Sequence, residues 1–171
     1  FFRRYEGATV DGIERLVEEI VSEFMLQKVS AAAIRRIREH RAAGHRTMMI
    51  TAAAEPFVQP LAPLFDEVIA ARLEVRDGAY TGYLAEPPLV GEARGAWVRR
   101  YAELEGADLK ASYAYADSHS DLALLRAVGN PAAVAPDAAL LRVAKRRRWP
   151  IEEWQMSGGM PRVRFPKPAV R

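Results

Sequence analysis

The stretch Ala111-Ser112-Tyr113-Ala114-Tyr115-Ala116-Asp117-Ser118-His119-Ser120-Asp121 decides how the rest of the chain is read. Residues up to Ala116 make a short strand that runs straight into an acidic, hydroxyl-rich turn. Asp121 to Val128 then carries helical spacing, and Gly129 stops it. Ala132-Ala133-Val134-Ala135 forms the next strand, and Asp137 caps a helix that continues through Arg147. Strands joined by helices in this way make βα units, in which a parallel sheet is covered by helices on both faces.

The same alternation extends upstream. Thr47 to Thr51 and Val68 to Arg72 read as buried strands, with a helix over Glu55 to Leu64 that Pro60 would shorten or bend. Leu73-Glu74-Val75-Arg76 and Ala79 to Tyr83 flank Asp77-Gly78, the two-residue signal of a type I′ hairpin. Pro87-Pro88 ends that excursion, and a helix runs from Gly91 to Glu105, closed by Gly106. Before all of these, apolar residues from Val10 to Met25 recur at three and four positions, so residues 10 to 26 form an amphipathic helix capped by Thr9 or Asp11. Ser30 caps a second helix that ends at Gly44. Trp149 to Trp154 could add a short edge strand, and the Gly and Pro content from Ser157 onward argues for a tail.

The 171 residues fit one globular domain, and 50% hydrophobic content excludes disorder over most of the chain. The absence of cysteine excludes a disulfide scaffold, a thiolate metal site and a cysteine nucleophile. No apolar run reaches the ~18 residues of a membrane span and no signal-peptide pattern opens the chain, so a cytoplasmic location is expected. The net charge is +3, yet eight cations and two acids fall between Lys145 and Arg171. This cluster reads as a solvated helix end followed by a linker. A nucleic-acid partner is not expected, and membrane contact is left to the basic tail or a fused domain. Oligomeric state is not readable.

In an open α/β sheet the site lies beyond the carboxyl ends of the strands. That rule selects Thr51 at one strand end and Asp117, Ser118, Ser120 and Asp121 at another, with Arg94 in the first turn of the helix after Pro87-Pro88. Two carboxylates in one strand-to-helix turn can coordinate Mg²⁺, which prefers oxygen ligands and keeps several waters. Thr51 could donate to a phosphoryl oxygen, and Arg94 could neutralise charge on an anionic substrate. Each residue taken singly also has a purely structural reading. Asp117 or Ser118 can cap the helix, Asp121 can favour its dipole, Thr51 can simply end a strand, and Arg94 can be a surface cation. His40, His45 and His119 are scattered without metal-ligand spacing. No G-x-S-x-G, G-x-G-x-x-G or P-loop is present, so a serine hydrolase or a nucleotide cofactor has no support.

Together these segments resemble the haloacid dehalogenase superfamily of phosphatases, closest to the subfamily IB hydrolases, the phosphoserine phosphatase-like branch. Gly44 to Ala52 looks like its second motif, a strand ending in Ser or Thr. Pro87 to Arg94 looks like the third, where lysine is usual and Arg94 stands instead. Tyr115 to Asp121 looks like the fourth, the D-S-x-S-D acidic loop, and the Glu74 to Gly82 hairpin is also typical. The resemblance implies a Rossmann-like core and a Mg²⁺-dependent phosphomonoester hydrolase acting on a small phosphorylated metabolite through an aspartyl-phosphate. It further implies that Thr51 and Ala52 hold the phosphoryl group, with Arg94 as the orienting cation. Asp117 would ligate the metal, Asp121 would hold its water or brace the site, and Ser118 and Ser120 would support the loop.

The first motif, which carries the nucleophilic aspartate, has no counterpart, because Asp11 lies in the periodic helix with no strand before it. The expected organisation is therefore a partial helical cap over 1–40, an α/β core lacking its first strand over 41–156, and a basic tail or linker over 157–171. The 171-residue chain would be N-terminally truncated and inactive as it stands. The alternative is a non-catalytic module that binds a phospho-ligand or a partner.

Overall fold

The computed structural model describes residues 2–154; the tail expected over 157–171 lies outside them. A short 3-10 helix, Phe2–Tyr5, precedes helix α1 (residues 10–28), whose middle turn, Val17–Val21, is wound as a π-helix. Thr9 rather than Asp11 caps α1, its hydroxyl accepting from the Gly12 N–H at 3.2 Å. A π turn inserts one residue, which rotates the apolar stripe beyond it by about 100°. Ile13 and Val17 accordingly lie in the core, whereas Phe24, on the same stripe in the sequence pattern, is 57% exposed.

Helix α2 (Ala31–Ala42), capped by Ser30, leads into strand β1 (Met48–Ala54). Helix α3 (Glu55–Val58) tightens into a 3-10 segment, Gln59–Leu64, because Pro60 and Pro63 deny it the α-helical hydrogen bonds. Strand β2 (Glu67–Ala71) pairs parallel with β1. Strands β3 (Leu73–Arg76) and β4 (Ala79–Leu84) form the antiparallel hairpin. Its turn residues Asp77 and Gly78 sit at φ 51° and 76°, the two positive angles that a type I′ turn requires.

Helix α4 (Glu92–Glu105) is followed by β5 (Tyr113–Ala116). A 3-10 turn, His119–Asp121, leads into α5 (Leu122–Ala127), then β6 (Asn130–Val134), α6 (Ala138–Arg147) and β7 (Ile151–Glu152). Strands β5, β6 and β7 are all parallel. The chain is thus an α/β fold, with its parallel strands in two sheets, β1-β2 and β5-β6-β7. Among the described residues no strand pairs with the free edge of β1 or of β5. No helix among those residues is long and apolar enough to cross a membrane.

Two cores hold these parts. Ile13 and Val17 of α1 pack with Ala54, Leu73 and Tyr80, so α1 rests on the hairpin and on the carboxyl end of β1. Beneath the other sheet, Leu125 and Leu140 are fully buried against Ala114, Ala133 and Ala144. The small strand residues let α5 and α6 approach closely, and the leucines fill the space between.

At the amino ends of β1 and β5 the chain forms a ring cluster. Gly44, at φ 78°, reverses the chain after α2 so that His40 and His45 meet, their Nδ1 atoms 2.9 Å apart. His40 Nε2 lies 2.9 Å from the Tyr115 hydroxyl, and His45 stacks on Tyr113. Burial holds His40 below its ordinary pKa of 6.5, the charges of His45 and Arg36 push the same way, and Glu39 opposes them. The unfolded chain therefore binds more protons than the folded one just below that value, so stability rises with pH across this window. We expect the thermal midpoint to fall as pH drops from about 7.5 to about 5.5, and His40→Gln to flatten that slope. An unchanged slope in the variant would remove His40 from the account.

Candidate functional site

The carboxyl end of β5 delivers the acidic loop. Asp117 follows Ala116 with its side chain exposed. Ser118 is extended and its Oγ accepts from the Ser120 N–H at 3.2 Å and from the Ser120 hydroxyl at 3.1 Å, so Ser118, not Asp117, caps the turn. This leaves the Asp117 carboxylate outside the capping interaction.

Asp121 occupies a different environment. It is 9% exposed and forms a buried ion pair with the guanidinium of Arg94, itself 8% exposed. The Arg94 Nε and Nη2 atoms also donate to the Leu89 carbonyl at 3.1 and 3.0 Å. Burial pulls the guanidinium below its ordinary pKa, and the adjacent carboxylate compensates its charge. The contact between helices makes this pair possible. A Cβ on Gly95 would lie 2.7 Å from the Ala123 carbonyl oxygen, so only glycine lets α4 pack this closely on the start of α5. Of the five guanidinium N–H donors, three are engaged by Leu89 and Asp121 among the described residues.

Thr51 is half-buried and lies just past Ile50, where the regular β1–β2 register ends; the strand itself continues to Ala54. The Ala53 N–H donates to its Oγ at 3.1 Å. Ala52 is half-buried beside it. The structure thus joins Arg94 directly to Asp121 and links Ser118 to Ser120, with Asp117 leading into their turn. Thr51 stands on the other sheet, and its described hydrogen bond is local.

Asp137 was legible only as a helix cap. Its Oδ1 does accept from Ala139 and Leu140, at 3.0 and 2.7 Å, but its Oδ2 accepts from the His119 N–H at 2.8 Å. Neighbouring parallel strands end side by side, so residues just beyond β5 and β6 meet. That adjacency was the available signal.

Among the described residues no three His, Asp or Glu side chains gather as a metal-ligand group. Asp121 is engaged by Arg94, and the exposed carboxylate in the turn is that of Asp117, beside two hydroxyls. An oxygen-only donor set with one open carboxylate suits Mg²⁺, which keeps several waters and often takes substrate phosphate oxygens as ligands. Among the described residues, open depressions around Arg36 and Trp154 and around Arg99 and Lys110 lie away from this turn.

Residues 1–126 match the family of haloacid dehalogenase-like hydrolases. The chain belongs to that family. Among relatives of this haloacid dehalogenase-like chain, an inhibition of morphological differentiation protein from Streptomyces azureus is 36% identical over 85% of the chain and 53% of its own length. A phosphoserine phosphatase from Mycobacterium tuberculosis is 31% identical over 94% of the chain and 53% of its own length. A histidinol-phosphatase from Neisseria meningitidis is 32% identical over 78% of the chain and 63% of its own length. The chain therefore spans a little over half the length of the curated relatives it matches. A substrate-bound phosphoserine phosphatase structure superposes with a TM-score of 0.69 at 20% identity, over 90% of this chain and 69% of that one, which supports the fold.

Proposed function

We propose that the protein is a Mg²⁺-dependent phosphomonoester hydrolase that works through an aspartyl-phosphate and acts on a small phosphorylated metabolite. The observation that carries this reading is the split between two aspartates of one turn: Asp121 is locked to Arg94, while Asp117 presents an open carboxylate at a strand's carboxyl end. Asp117 would hold Mg²⁺ together with water and substrate oxygens. When bound, the ion would offset charge on the phosphoryl group as it transfers. The Arg94 guanidinium would orient the phosphoryl oxygens, and Asp121 and Leu89 would keep it in place. The Thr51 hydroxyl and the nearby Ala52 would contact another phosphoryl oxygen.

The attacking aspartate would stand on a strand pairing with the free edges of β1 and β5, which none of the described strands does. The separation of β1-β2 from β5-β6-β7 favours this, since the amino ends of β1 and β5 stand side by side through His45 and Tyr113 and, among the described residues, their facing strand edges are unpaired. Helix α1, resting on the hairpin and on the carboxyl end of β1, would belong to a cap over the site. Such a cap selects the substrate, and phosphoserine and histidinol phosphate are two candidates.

The test is phosphate release by the full-length protein from a panel that includes both compounds, with Mg²⁺ and with a chelator. We expect Mg²⁺-dependent turnover from the full-length protein and none from residues 1–171 alone. Saturable binding of phosphate esters without turnover by the full-length protein would instead establish a phospho-ligand-binding module.

A further inference from the structure

We infer that Asp137 is a positioning residue of the acidic turn, fixing the direction in which Asp117 presents its carboxylate. This rests on the assignment of Asp117 as a metal ligand made above. The geometry is a two-point clamp. The Asp137 N–H donates to the Asp117 carbonyl at 2.7 Å, and the Asp137 Oδ2 accepts from the His119 N–H at 2.8 Å. The two bonds bracket Ser118, so the peptide groups on either side of that residue, the first of them joined directly to Asp117, are held to the start of α6.

Capping alone does not call for this arrangement. A cap needs one oxygen, and Oδ1 already serves both Ala139 and Leu140. Oδ2 is turned instead toward a different βα unit. The approach to Asp137 is shaped for the same contact. Ala135 adopts φ 39°, in the left-handed region that residues with a Cβ rarely enter, and its N–H is tied to the Glu152 carbonyl at 2.8 Å. That bend, followed by Pro136, brings the Asp137 N–H opposite Asp117. Because the Asp117 side chain is exposed, its aim depends on the main chain beneath it.

Asp137→Ser separates the two roles. Serine is a good helix cap but has one side-chain oxygen where aspartate has two, so it can serve α6 and must release His119. In the full-length variant we expect amide exchange at His119 to quicken by about tenfold or more, with Ala139 and Leu140 staying near wild type. Mn²⁺ binding, read without turnover by electron paramagnetic resonance, should weaken on the order of tenfold. At saturating metal, KM for the substrate should stay within about twofold, since the clamp touches only the metal-binding turn. Asp137→Ala, which removes both oxygens, should additionally free the α6 amides.

If the wild type binds Mn²⁺ and hydrolyses phosphate esters, and Asp137→Ser leaves either His119 exchange or Mn²⁺ affinity unchanged, the positioning role is wrong. A wild type that does neither defeats the phosphatase reading, while His119 exchange still decides whether the clamp holds the turn.

Discussion

Asp121→Ala is expected to destabilise the fold by about 3–5 kcal/mol, because it leaves the Arg94 charge buried without its counter-ion. Both partners are nearly sealed from water, at 8% and 9% exposure, so solvent cannot take over the lost role. The Leu89 carbonyl would remain against Arg94, yet a neutral acceptor offsets only part of a full charge. The measurement is urea denaturation of the full-length protein. The sign of the double variant is as informative as the single. Arg94→Met combined with Asp121→Leu removes both charges and restores apolar volume, and should recover most of the loss. A single Asp121→Ala variant within about 1 kcal/mol of wild type would show that the pair is not the buried, uncompensated charge described above.

The features that were legible in the sequence are the ones local chemistry fixes. Asp77-Gly78 announces its turn because few other residue pairs accept two positive φ angles in succession. Thr9, Ser30, Ser118 and Asp137 mark helix or turn starts because a short side-chain oxygen can reach the free N–H groups that follow. The end of β1 was harder to read. Ala52 to Ala54 have no strand preference, and the strand reaches Ala54 because that residue is buried against Ile13 and Val17. The His40–His45 pair depends on the reversal at Gly44, and the Arg94–Asp121 pair depends on how closely Gly95 lets two helices approach. Residue type identified Arg94, Asp117 and Asp121 as candidates, but only packing shows that Asp121 faces inward and Asp117 outward.

That difference supports a second large effect of the opposite character. Asp117→Asn in the full-length protein is expected to reduce kcat/KM for phosphate-ester hydrolysis by on the order of 10²–10³ while leaving the thermal midpoint nearly unchanged. The carboxylate is exposed, so replacing it with a neutral amide of the same shape leaves no buried charge and no cavity. What the fold uses at this position is the main-chain carbonyl, held by the Asp137 N–H, and asparagine keeps it. What the proposed chemistry uses is the negative charge, and asparagine lacks it. The two aspartates, four residues apart, therefore make a matched pair of tests. Asp121→Ala should lose stability before chemistry can be measured, whereas Asp117→Asn should lose chemistry in an intact fold. If Asp117→Asn kept wild-type turnover, the acidic loop would not be the metal-holding part of the site. If it unfolded the protein, the exposed carboxylate would be carrying a structural contact that its surroundings do not require.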